Sequence, residues 1–185
     1  MKLTAMIVIM SLLCGCAAVE NDMDRVLSFR QQLLQSNECS FNAMITADYE
    51  EVIYTFQMSC TVDSSGVLTF TVTDPQTIEG ITGTISDNGA ALTFDEEVLA
   101  FPTLAQGQAT PVSAPWIFIN AIRGGYLSGC GREGDGLRIS VDDSYEDNPL
   151  HLEILTDDQI HPVQSEIYWN GNRILSLDIE QFTMQ

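Results

Sequence analysis

A chain of 185 residues has room for one domain with a sizeable core and little more. Its 26 acidic residues against 7 basic ones give a formal charge of −19, and Lys2 is the sole lysine; this argues against gripping nucleic acid or anionic headgroups with a broad basic face. A hydrophobic share of 45% excludes general disorder.

The chain opens with Lys2, an apolar run from Leu3 to Leu13 too short to span a bilayer, then Gly15 and Cys16. A charged start, a short apolar run and a small residue before cysteine resemble a bacterial lipoprotein signal. That resemblance predicts removal of residues 1–15, lipidation of Cys16 and a tether over 16–22. Cys14 is the weaker lipid site because bulky Leu13 precedes it. The chain is then exported and membrane-anchored through its lipid, on the outer face of the cytoplasmic membrane or, in a two-membrane organism, at the outer membrane. Cys39, Cys60 and Cys130 remain in an oxidising compartment.

From Asn21 to Asn37, Met23, Val26, Leu27, Phe29, Leu33 and Leu34 recur at helical steps. Asn21 or Asp22 caps the start, and Ser36-Asn37 marks the stop. At Cys39 the apolar period falls to two. Cys39, Phe41, Ala43, Ile45 and Ala47 alternate with polar neighbours, and Val52, Tyr54, Phe56, Met58 and Cys60 do the same after a polar turn. A turn centred between Tyr49 and Glu50 pairs Ile45 with Tyr54, Phe41 with Met58 and Cys39 with Cys60, which predicts a Cys39–Cys60 disulfide across the hairpin.

Leu68, Phe70 and Val72 continue the meander, and Pro75 ends it. Ile81, Gly83 and Ile85 lead into Asn88-Gly89, with Ile85 expected to face Leu92. Val98, Leu99, Phe101 and Leu104 read as a short strand and a loop. Ser113-Ala114-Pro115 opens a helix of Trp116, Ile117, Phe118, Ile119, Ala121 and Ile122, stopped by Gly124-Gly125. Gly124 to Gly136 reads as a loop holding an unpaired Cys130. Four period-two runs follow: Leu137 to Val141, Leu150 to Ile154, Val163 to Trp169 and Leu175 to Ile179. Around Asn170-Gly171, a three-residue loop through Asn172 pairs Ile167 with Leu175 and Val163 with Ile179.

Catalytic signatures are missing: no Gly-x-Ser-x-Gly elbow, no His-Glu-x-x-His and no phosphate-binding lysine after the glycines. His151 and His161 read as exposed residues rather than ligands. Asp142, Asp143, Glu146 and Asp147 lack the ligand spacing of a calcium loop. The chain is expected to be no enzyme and to need no metal or cofactor.

The order of helix, meander, apolar helix and second meander, with the stretches PQTIEGITG, ALTFD, Ser113-Ala114-Pro115 and WNGNRILSLDIEQF, resembles the bacterial lipoprotein and lipoprotein-carrier superfamily. Its members include the carrier LolA, its partner LolB and mycobacterial lipid-carrying lipoproteins. The resemblance implies an α+β domain over residues 23–185: a strongly curved antiparallel half-barrel of about ten strands, its concave face covered by an N-terminal helix and a short central helix. It also implies an apolar cavity between sheet and helices. Phe41, Ile45, Tyr54, Phe56, Met58 and Phe70 would wall it, with Trp116, Phe118, Ile119 and Ile122 in the lid and Arg123 just beyond. The expected function is binding of a lipid, acyl chain or other apolar ligand. The alternative is a structural or regulatory lipoprotein with a filled core that contacts an envelope protein.

Overall fold

The computed structural model describes residues 21–49, 52–86, 89–93, 105–145 and 147–185. The expected signal peptide, Cys16, most of the expected tether and the short strand expected near Val98 lie outside them.

Helix α1 spans Asp22–Gln35. The Asn21 side chain accepts from the Met23 N–H at 3.2 Å, and Asp22 and Asp24 sit in the first turn, where the helix dipole favours negative charge. Its end is closed by the Ser36 N–H on the Gln32 carbonyl. Val26, Phe29 and Leu33 are buried, and they share one face as three- and four-residue spacing requires.

Strands β1 (Glu38–Asp48), β2 (Ile53–Asp63), β3 (Leu68–Asp74), β4 (Thr82–Ser86) and β5 (Gly89–Thr93) form the first meander. A 3-10 turn at Pro111–Ser113, closed by reciprocal Thr110 and Ser113 bonds, delivers the chain to helix α2, Ala114–Gly124. Strands β6 (Tyr126–Glu133), β7 (Gly136–Asp142), β8 (His151–Thr156), β9 (Pro162–Trp169) and β10 (Asn172–Met184) complete the fold. All belong to one ten-stranded sheet, ordered β5-β4-β3-β2-β1-β10-β9-β8-β7-β6. The first and last strands therefore pair at its centre, antiparallel, and weld the two meanders together. The sheet is curved and unclosed, with β5 and β6 at its edges. The α+β half-barrel is thus observed.

The core is the apolar face of this sheet under the two helices. Phe41 meets Phe118 edge-on, ring centroids 5.6 Å apart, and stacks on Phe182 at 5.9 Å; Phe182 in turn meets Phe29 of α1 at 5.9 Å. Phe182 reaches this face through a bulge. Leu175, Leu177 and Ile179 are buried at odd positions, but the pairing shifts between Ser40 and Asn42, and Gln181 takes φ +54° as the extra residue. The alternation then resumes with inverted parity.

Several expectations are corrected. In β1–β2 the pairs are displaced by two residues: Phe41 lies opposite Cys60, Cys39 opposite Val62, and Ile45 opposite Phe56. A shift of two leaves every side chain on its original face, so alternation alone does not distinguish the registers. Cys39 and Cys60 become diagonal neighbours, positions roughly 7 Å apart and beyond disulfide reach. Both are buried free thiols. Ile85 faces Ala90 rather than Leu92, because Ser86 pairs with Gly89 and the connection is residues 87–88. Most of the stretch from Gly124 to Gly136 is no loop, since β6 pairs with β7 along its length. At Asn170-Gly171 the loop has two residues, at φ +50° and +78°, with Asn172 opposite Trp169. A bulge before Leu175 then restores the expected Ile167–Leu175 pair. Val163 is 42% exposed, because the β8–β9 register breaks at Thr156 opposite Pro162 and the buried position passes to the proline.

Candidate functional site

Most of the residues expected to wall a cavity are gathered where sheet meets helix. Phe41, Ile45, Phe56, Met58 and Phe70 on β1 to β3, with Phe118, Ile119 and Ile122 on α2, are all buried. Among the described residues, Phe41 and Phe118 meet directly, and a small apolar pocket remains between Val26, Phe29, Ile122, Leu127, Ile139 and Val141. Tyr54 stands apart: it is 39% exposed near the hairpin tip, its ring edge-on to Tyr49 at 5.5 Å. Trp116 is only partly buried.

A cleft of about 480 Å³ lies instead between the two helices, lined by Leu34, Trp116, Ile117, Asn120, Arg123, Gly124 and Asp143. Helix periodicity builds it. Burial of Val26, Phe29 and Leu33 turns Leu34 of α1 outward, 50% exposed. On α2, Trp116, Asn120 and Arg123 follow at steps of four and three on one face. The cleft is therefore apolar at Leu34, Trp116 and Ile117 and polar at Asn120, Arg123 and Asp143. Trp116 Nε1 is buried and has no hydrogen-bond partner.

Arg123 ties the end of α2 to the β2–β3 turn. Its guanidinium donates to the Ser64 carbonyl at 2.9 Å and the Asp63 carbonyl at 3.4 Å. That turn is made rigid by Asp63, whose carboxylate accepts from the Ser65 hydroxyl, the Ser65 N–H and the Val67 N–H. These bonds, the Ser65 hydroxyl foremost, hold the Asp63 carboxyl below its ordinary pKa. Arg30 of α1 makes a matching reach, donating to the Ala121 carbonyl of α2 at 3.3 Å, while its Nε is buried and unpartnered. Burial lowers the Arg30 pKa against a smaller opposing effect of Tyr145.

The thiols are unsuited to nucleophilic work. Burial pushes Cys39 up to about 12 despite nearby Arg123, raises Cys60 further, and raises half-buried Cys130 on β6. A raised thiol pKa leaves little thiolate at neutral pH.

On the outer face, His151 is held between Asp142, at 2.7 Å from Nδ1, and Glu153, at 2.8 Å from Nε2. A neutral imidazole has one N–H and serves only one carboxylate as donor; the imidazolium serves both. Burial opposes the charge, but the bonds to Asp142 and Glu153 outweigh it and raise the pKa. A group whose folded pKa is raised contributes stability that is complete below its unfolded pKa and is lost as pH rises through the folded value. Thermal melts of wild type and His151→Gln should therefore differ more at about pH 5.5 than at about pH 8.5. An equal difference at both would contradict the doubly bonded imidazolium. His161 lies 3.3 Å from Asp157. Of the acidic turn, Asp142 is engaged by His151 and Asp143 accepts from the Leu150 N–H. Among the described residues no group of His, Cys, Asp or Glu is placed to hold a metal ion, and no helix is long and apolar enough to cross a membrane.

Leu34, Ile117, Asn120 and Asp143 were not among the residues expected to line a ligand cavity. The available signal was Leu27 and Leu34, seven residues apart on α1, which made its apolar stripe wider than one buried face needs.

No protein-family model matches the chain, and no curated protein matches it. Solved structures do. An uncharacterized conserved protein from Thermus thermophilus is 12% identical with a TM-score of 0.45, covering 89% of this chain and 88% of its own. The LolA superfamily protein NE2245 from Nitrosomonas europaea is 9% identical at 0.45, covering 86% and 93%. Pseudomonas aeruginosa MucB, solved with MucA, is 15% identical at 0.40; the match covers 88% of this chain and 56% of that one.

Proposed function

We propose that this protein is a non-enzymatic envelope lipoprotein, anchored through Cys16, that holds an apolar or amphipathic chain in the cleft between α1 and α2. One observation carries the reading: Leu34, Trp116 and Ile117 present apolar surface to an open space of about 480 Å³. That volume lies within the roughly 300–1,000 Å³ of small-molecule sites. Deeper entry, between α2 and the sheet, would require α2 to lift. Lifting would break the Phe41–Phe118 contact and the bonds from Arg123 to the β2–β3 turn.

The burial of Phe41, Phe56, Phe70 and Phe118 also suits a second reading, in which the core is purely structural and the surface engages an envelope protein. Mass spectrometry of an organic extract separates the two. A purified Cys16→Ser chain, which carries no lipid of its own, should yield a long-chain lipid enriched over an unrelated exported protein. Recovery of none, together with no saturable binding of chain probes, would leave the protein-contact reading in its place.

A further inference from the structure

In so acidic a chain, guanidiniums are expected to find carboxylates, and most do. Arg25 and Arg132 lie against Asp22, Arg138 against Glu133, and Arg173 against Glu166. Arg30 and Arg123 do not. Among the described residues, both bond only to backbone carbonyls. Arg123 stands in the wall of the cleft; Arg30 lies outside that wall, one turn before Leu34 on α1, beside a small apolar pocket with Val26, Phe29 and Ile122. The Asn120 carboxamide accompanies Arg123. Asn120 Oδ1 and Arg123 Nη2 each lie 3.9 Å from the point where a Cβ on Gly66 would stand, so the two side chains approach each other beside the β2–β3 turn, and both residues line the cleft. Of the nearby acids, Asp63 turns into its own hairpin loop, and Asp143, at the cleft wall, accepts from the Leu150 N–H with one oxygen.

We infer that the cleft takes an amphiphile with a single anionic headgroup, carboxylate or phosphate. The headgroup is received by Arg123 and Asn120, with Arg30 adding positive charge, and the chain lies along Trp116, Ile117 and Leu34. This rests on the reading of the cleft as a chain-binding site. An unpaired guanidinium at the polar end of an apolar trough gives the headgroup charge-assisted bonds without the cost of displacing an existing carboxylate. The overall acidity of the chain excludes a broad anionic surface as partner but not one headgroup at a local pair of cations.

Isothermal titration of the Cys16→Ser chain with laurate, lauryl phosphate, methyl laurate and inorganic phosphate tests this. Laurate and lauryl phosphate should bind at least about tenfold more tightly than the uncharged ester, the worth of one charge-assisted bond, and inorganic phosphate should not bind measurably. Asn120→Leu and Arg30→Gln should each reduce the preference, and Arg123→Gln should abolish it, with circular dichroism confirming that each variant is folded. Equal affinity for laurate and its ester would overturn the headgroup site while leaving the chain site intact. Inorganic phosphate binding as tightly as lauryl phosphate would overturn the amphiphile in favour of a simple anion site. Failure of every chain-bearing probe would overturn the cleft reading itself.

Discussion

Replacing Phe118 by alanine is expected to lower the unfolding free energy by about 3–5 kcal/mol, measured as a fall in the urea midpoint at unchanged slope. Phe118 is fully buried, its ring set edge-on against Phe41. Its neighbours on α2, Ile117, Ile119, Ala121 and Ile122, are buried with it, so the surroundings have little freedom to collapse into the space left behind. The magnitude also bears on function. A cost below about 1 kcal/mol would show that α2 is not seated on the sheet in solution. The interior would then be open to a ligand, and the cleft would be only its mouth.

Gly136→Val is expected to be destabilising by at least about 1–3 kcal/mol, read the same way. A Cβ at Gly136 would stand 1.8 Å from the Thr156 carbonyl oxygen and 2.8 Å from that of Asp157. The obstacle is backbone, so no rotamer change relieves it; β7 and the end of β8 must part. The parting would cost the bond from the Leu137 N–H to Thr156 Oγ1, at 3.0 Å, which anchors the start of β7. Wild-type stability in Gly136→Val would contradict the close approach of these strands.

Alternation and helical spacing made much of the fold readable from residues. The buried faces of β1 to β4 followed from period two, α1 from its cap and apolar spacing, and α2 from its proline start, apolar run and glycine stop. What period two leaves open is displacement by an even number of residues. The β1–β2 hairpin slid by two without any side chain changing face, and it took the expected Cys39–Cys60 pairing with it. Strand β6 escaped notice because an edge strand has one neighbour and a half-exposed surface. Glycines at 129 and 131 gave it no apolar rhythm. The union of β1 with β10 joins the two ends of the chain, and no local pattern records it. Phe182 is out of phase with Leu175 to Ile179, and only the bulge at Gln181, which period two does not announce, carries it onto the core face.

The candidate site was less legible than the fold. Sequence placed Trp116 on the right helix and Arg123 just beyond it, whereas the helix runs through Arg123 to Gly124; it assigned the binding surface to side chains that are mostly buried beneath that helix. The cleft depends on which residues of two distant helices face each other, and on which arginines are left without carboxylates. Both are properties of tertiary structure. Arg123 shows the difference well: in sequence it merely follows an apolar helix, and in space it joins that helix to the β2–β3 turn and borders the cleft.

Fluorescence quenching at Trp116 tests chain binding in the cleft most directly. The chain has two tryptophans, so Trp169→Phe leaves Trp116 as the sole reporter, in the cleft wall. Titration of the Cys16→Ser, Trp169→Phe chain with a brominated fatty acid, a quencher that acts at contact range, should give saturable quenching. The Trp116→Phe counterpart, reporting from Trp169, should remain bright. Undiminished Trp116 emission up to the solubility limit of the probe, or quenching of Trp169 alone, would contradict the account.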